Sequence, residues 1–202
     1  MINLITISAP SGSGKTTLLK LCYGALIPTA GHLRIFGEDV AMLGRDDVAM
    51  ARRKIGVVHQ DCQFLDHLSV LDNVALPLQV SDQDTAEAMA DIGELMSWVG
   101  LTNRAHALPP ELSGGERQRA ALARAVIMSP DVILADEPTG NLDSANVRHI
   151  VELLHKVNAD RDMTVVLVTH DTELASSADV MLQMRDGEVE QVTPERPPEV
   201  TR

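Results

Sequence analysis

Aromatic side chains are scarce in this 202-residue chain: Tyr23, Phe36, Phe64 and Trp98 are all it has. Its core must therefore come from Leu, Val, Ile, Ala and Met. Cysteine is scarcer still. Cys22 and Cys62 make no Cys-x-x-Cys pair, which excludes a disulfide-stapled small domain and suits a reducing compartment. Positive charge is also in deficit. Lys and Arg number 17 against 29 Asp and Glu, a formal net charge of −12. Such a chain does not steer itself to nucleic acid or to anionic lipid. No apolar run reaches the ~18 residues that span a bilayer, so direct membrane insertion is not expected. Met1–Ile7 lacks the basic flank and long apolar stretch of a signal peptide. There is no repeat, no heptad run and no low-complexity tract. His32, His59, His67, His106, His149 and His155 show no metal-ligand spacing and read as structural. What is left at this length is one domain, with room for a small subdomain.

The pattern of what is present is α/β. Ile2–Ser8 mixes β-branched and apolar residues and stops at a Gly- and Ser-rich loop, as a strand does. Lys15–Leu26 reads as a helix, Leu33–Phe36 and Ile55–His59 as strands, and Asp82–Val99 as a helix. Glu116–Met128 is a predicted helix and Asp131–Asp136 a buried strand. Ala145–Ala159 is predicted helical and Met163–Thr169 a second buried strand. Asp186-Gly187 marks a hairpin turn between Val180–Arg185 and Glu188–Val192. Strands alternating with helices imply a mainly parallel sheet. The expected division is a core of residues 1–60 and 128–192, a helical subdomain over 61–127, and a flexible tail over 193–202.

Three short motifs carry chemistry. The first is Ala9-Pro10-Ser11-Gly12-Ser13-Gly14-Lys15-Thr16-Thr17, between a strand and a helix. A phosphate chain needs inward-pointing backbone N–H groups, a helix N-terminus behind them and a cation. Gly12 and Gly14 let the backbone approach, Lys15 reaches the β- and γ-phosphates, and the Thr16 hydroxyl can ligate Mg²⁺. Ala9 stands where this pattern begins with Gly, and alanine is tolerated there only at negative φ. The second motif, Asp136-Glu137, ends the apolar strand Val132–Leu134, at the sheet edge where ligands bind. Asp136 is placed to hold Mg²⁺, and Glu137 to polarise a water for attack on the γ-phosphate. The third, Leu112-Ser113-Gly114-Gly115-Glu116, is an N-cap with exposed amides and so an anion site.

Leu112–Glu116 resembles the signature motif of the ATP-binding cassette (ABC) ATPases. Gln60 resembles that family's Q-loop glutamine, Gly140-Asn141-Leu142-Asp143 its D-loop, and His170 its switch histidine. The motifs come in the family's order and cover nearly the whole chain. The resemblance implies a P-loop nucleotide-binding domain that uses ATP and Mg²⁺. Ser11–Thr17 and Gln60 would bind nucleotide, and Thr16, Gln60 and Asp136 would meet the metal. Glu137 and His170 would act in hydrolysis. It also implies a head-to-tail homodimer in the ATP state, with Ser113, Gly115 and Asp143 completing the site of the other copy.

Within the family, Arg52–Leu78, His106–Pro110 and Ala135–Asp143 are similar to the bacterial cell-division ATPases (the FtsE group). That implies an integral membrane partner, an FtsX-like permease, peripheral placement on the inner face of the plasma membrane, and control of cell-wall hydrolysis. Phe64, Leu65, Leu68 and Val70 would line the groove that meets the partner. The lipoprotein-release and macrolide-export ATPases share Ala135–Asp143, so they form the alternative. A non-catalytic, nucleotide-gated module is a second alternative, suggested by Ala9 and by the short segment before it. In this family about thirty residues, with an adenine-stacking aromatic, normally precede the phosphate-loop strand. The resemblance therefore leads one to expect weaker base stacking and an exposed sheet edge.

Overall fold

The computed structural model describes residues 4–10, 12–81, 88–140, 142, 144–161, 163–170, 175 and 178–192. Ser11, Asn141, Asp143 and the expected 193–202 tail lie outside the described residues, as do residues 82–87 of the expected helix.

The six-stranded sheet has the order β4-β5-β6-β1-β7-β8. Its strands are β1 (Leu4–Ser8), β4 (Ile55–Val58), β5 (Val132–Asp136), β6 (Thr164–Thr169), β7 (Val180–Arg185) and β8 (Glu188–Val192). The first five run parallel, and β8 returns antiparallel to β7. The hairpin between β7 and β8 turns at Asp186 and Gly187, both at positive φ (51° and 83°). That is the geometry an Asp-Gly hairpin turn requires. A separate two-stranded ribbon pairs β2 (Arg34–Ile35) with β3 (Glu38–Asp39).

The parallel strands read as continuous apolar runs because both faces are covered. On one face, Ile133, Ala135, Val165 and Leu167 join the main core with α3 (Val70–Val80), α4 (Met89–Trp98), α5 (Gly114–Val126) and α6 (Ser144–Arg161). On the other, Ile7, Leu134 and Val168 pack with Leu19 of α1 (Lys15–Cys22). Alternation along each strand makes this division.

Several boundaries differ from expectation. Helix α1 ends at Cys22 rather than Leu26, because Gly24 turns the chain with φ 67°. Two helices have no counterpart in the sequence reading: α2 (Arg45–Arg53), whose last turn holds Arg52 and Arg53, and α3. Helix α3 opens on a Ser69 N-cap that accepts from Asp72 N–H. It also contains Pro77, which breaks the local signal for a helix.

Candidate active site

The parallel order places the C-terminal ends of β1, β4, β5 and β6 side by side, and the loops that leave them build the site. From β1 the chain enters the loop Ala9–Gly14. Gly12 (φ 77°) and Gly14 (φ 97°) take conformations that favour glycine, and Gly14 is the N-cap of α1. Ala9 is buried and is not among the residues at positive φ, so the loop accepts alanine there. The Lys15 ammonium donates to the carbonyls of Ala9 (2.9 Å) and Pro10 (3.1 Å). It also lies 3.8 Å from Glu137 Oε1.

β5 supplies the carboxylates. Thr16 Oγ1 donates to Asp136 Oδ2 at 3.2 Å. Burial pushes the Asp136 carboxyl up from its ordinary pKa. The Thr16 hydrogen bond opposes that shift, and the neighbouring Glu137 charge adds to it. Glu137 is 8% exposed and sits at φ 46°, a strained conformation for a non-glycine residue. Glu137 N–H donates to Val168 O of β6 (2.9 Å), which brings its carboxylate to His170. Oε2 accepts from His170 N–H at 3.4 Å and meets His170 Nδ1 at 2.8 Å. The His170 side chain is otherwise 73% exposed, on the rim.

Lys15, Thr16, Thr17, Gln60, Asp136, Glu137 and His170 line one cavity of about 700 Å³ with Gly12 and Gly14. Ser13 lines an adjoining cavity with Arg185 and Gly187. Ser113 and Gly115 do not line the Lys15 cavity of their own chain. They open α5, where Ser113 Oγ accepts from Glu116 N–H (3.3 Å) and Glu116 Oε2 accepts from Ser113 N–H (2.8 Å). This reciprocal cap holds the signature turn in place. A Cβ on Gly115 would sit 2.2 Å from Asn146 Oδ1, so glycine is needed there for packing as well.

His59 precedes Gln60 and packs edge-on to Tyr23, with ring centroids 6.2 Å apart. Burial, above all, lowers its pKa. Sequence reasoning missed the side chains that hold the loop after Gln60. Asn73, fully buried, donates to the carbonyls of Leu65, Leu68 and Ser69 and accepts from Leu65 N–H. Arg117, Gln118 and Arg124 reach the same loop from α5. The available signal was one asparagine, Asn73, on the face of α3 that holds Val70, Val74 and Leu78.

The donor set suits a magnesium ion. A hydroxyl and a buried carboxylate lie within 3.2 Å of each other, and Gln60 lines the same space. Hard oxygens, few from protein and the rest from phosphate and water, are what Mg²⁺ takes. A glycine-lined anion cradle, a lysine, two carboxylates at strand ends and a histidine are the parts of a phosphate-loop nucleotide hydrolase.

The comparisons narrow that class. The family described as "ABC transporter" matches residues 3–140. The lipoprotein-releasing system ATP-binding protein LolD 1 of Rhodopirellula baltica is 43% identical over 182 residues, 90% of this chain and 80% of the relative. The macrolide export ATP-binding/permease protein MacB of Bdellovibrio bacteriovorus is 40% identical over 193 residues, 93% of this chain but 29% of the relative. A dimeric structure of a post-hydrolysis state of the ATP-binding cassette MJ0796, bound to ADP and Pi, superposes with a TM-score of 0.87. It is 36% identical, with 96% of this chain and 86% of that chain covered. The chain belongs to the ABC transporter family of ATP-binding cassettes and has that family's ATPase fold.

Proposed function

We propose that this chain is the Mg²⁺-dependent ATPase subunit of a membrane export complex of the lipoprotein-release or macrolide-export kind, working as a homodimer beneath an integral membrane partner. One observation carries the ATPase reading. Lys15, Thr16, Gln60, Asp136, Glu137 and His170 come from four separate segments and meet on one cavity at the C-terminal ends of parallel strands. The similarity to LolD 1 and to MacB supports export over the cell-division reading with an FtsX-like partner. No helix among the described residues is long and apolar enough to cross a membrane.

Each residue has a chemical task in this reading. The N–H groups of the loop and of the first turn of α1 hold the phosphates. Lys15 leaves the Ala9 and Pro10 carbonyls for phosphate oxygens. Thr16, Asp136 and Gln60 would hold Mg²⁺, which supplies charge neutralisation of the phosphates. Glu137 accepts a proton from the attacking water as the water's oxygen bonds to the γ-phosphorus and the bond to ADP breaks. Positive backbone conformation and His170 fix the Glu137 carboxylate. Ser113 and Gly115 present the N-terminus of α5 to the γ-phosphate held by the partner, and the family resemblance gives Asp143 a part in the same trans contact. Phosphate release by the purified chain, alone and with a co-purified membrane subunit, tests this. Absence of hydrolysis in both states would leave a nucleotide-gated binding module instead.

A further inference from the structure

Helix α5 is fastened to the loop after Gln60 at three successive points. Gln118 Nε2 donates to Gln60 O at 3.3 Å. Arg117 Nη2 donates to Cys62 O at 3.5 Å, and its Nη1 to Pro109 O at 2.9 Å. Arg124 Nη1 donates to Gln63 O at 2.5 Å. Arg117 and Arg124 are two turns apart and so share a face of α5. Between them stands Phe64. The Arg117 guanidinium carbon lies 5.4 Å from the ring centroid and that of Arg124 lies 4.7 Å away. Both are within cation–π range. Arg124 is half-buried, and burial draws its pKa down; partial removal from water strengthens a cation–π contact.

We propose that Arg117 and Arg124, clamped on Phe64, are positioning residues that make the Gln60–Phe64 loop and the signature turn of α5 one mechanical body. The inference rests on the proposed function, in which Gln60 meets this chain's nucleotide and Ser113 and Gly115 meet the partner's. A shift of Gln60 on nucleotide binding is then carried along α5 to its N-terminus, and the trans site is set by the cis one. Neither arginine lines the Lys15 cavity.

The test compares Arg117→Ala with Arg124→Ala as a double variant, Phe64→Leu, and Arg124→Lys. Phe64→Leu leaves both arginine donors but removes the ring face. Arg124→Lys keeps the charge but not the planar stack. Binding of a fluorescent ATP analogue to the monomer should stay within about twofold, whereas kcat falls on the order of tenfold or more in the double variant. ATP-driven dimerisation, measured in a Glu137→Gln background, should weaken by a similar factor. Adding Gln60→Ala to the double variant should cost clearly less than Gln60→Ala costs the wild-type chain, because coupled sites are not additive. Phe64→Leu and Arg124→Lys should show the same loss in part. Wild-type kcat and dimerisation in Phe64→Leu and Arg124→Lys, or fully additive losses with Gln60→Ala, would overturn the proposal. Should the double variant not fold, the two conservative variants decide alone. Failure of the wild-type chain to dimerise or hydrolyse would instead count against the proposed function.

Discussion

At the residue scale, the proposed mechanism concentrates its chemistry on Glu137. It is buried, strained at φ 46°, and held between Lys15 and His170. Strain at a non-glycine residue persists only where surrounding contacts over-determine it. Removing its charge with Glu137→Gln should cut turnover by about 10²–10⁴, the usual worth of a general base, with nucleotide binding retained. Phosphate-release kinetics check this, and a normal rate would remove Glu137 from its role. Glu116 gives a pH-dependent prediction. The Ser113 N–H above all holds its carboxyl below the ordinary value; burial opposes this, and Arg104 adds to the lowering. A depressed carboxylate stabilises the fold above its unfolded pKa of ~4.3 and loses that contribution as pH falls through the folded value. Glu116→Gln keeps the cap but not the charge. It should cost about 0.5 kcal/mol near neutral pH, the scale of a helix-terminus charge. In urea unfolding the gap should close as the pH drops below ~4. A gap that stays constant through that acid range would contradict the assignment.

Elements deliver the site, and here the glycines and one asparagine matter most. Gly56 in β4 faces the C-terminal half of α5, where a Cβ would lie 2.3 Å from Ala125 O. Gly56→Ala must push β4 from α5, at a cost of about 2–3 kcal/mol by the measure of overpacked cores. Calorimetry should show a Tm lower by roughly 5 °C or more for a chain of this size. Asn73→Ala should cost about 2 kcal/mol, because it strands buried carbonyls and the Leu65 N–H. Denaturant unfolding checks it, and an unchanged midpoint would mean that water replaces the amide. These elements also mark how far the sequence could be read. The strands β5 and β6 were legible because both faces are buried and the apolar run is unbroken. The Lys15 loop was legible because phosphate binding dictates its glycines and its place before a helix. Helix α3 was not, because Pro77 and a short cap hide an 11-residue helix. The clamp on Phe64 was not, because Arg117 and Arg124 gain their meaning from a loop more than fifty residues away.

In the proposed function the whole molecule holds half a site. Within one chain the Lys15 cavity is lined by the phosphate loop, Gln60, the two carboxylates and His170, while the signature turn stands elsewhere. A single cassette thus offers its nucleotide positioning groups on one side only, and phosphoryl transfer depends on surrounding the γ-phosphate. The net charge of −12 opposes self-association of two such chains, so in the proposed function bound Mg²⁺–ATP acts as the adhesive. The most direct measurement is sedimentation velocity of the Glu137→Gln chain with and without Mg²⁺–ATP. A monomer without nucleotide that becomes a dimer with it, and reverts with ADP, is the predicted result. A chain that stays monomeric in saturating Mg²⁺–ATP, while the wild-type chain hydrolyses at a rate per molecule independent of its concentration, would contradict it.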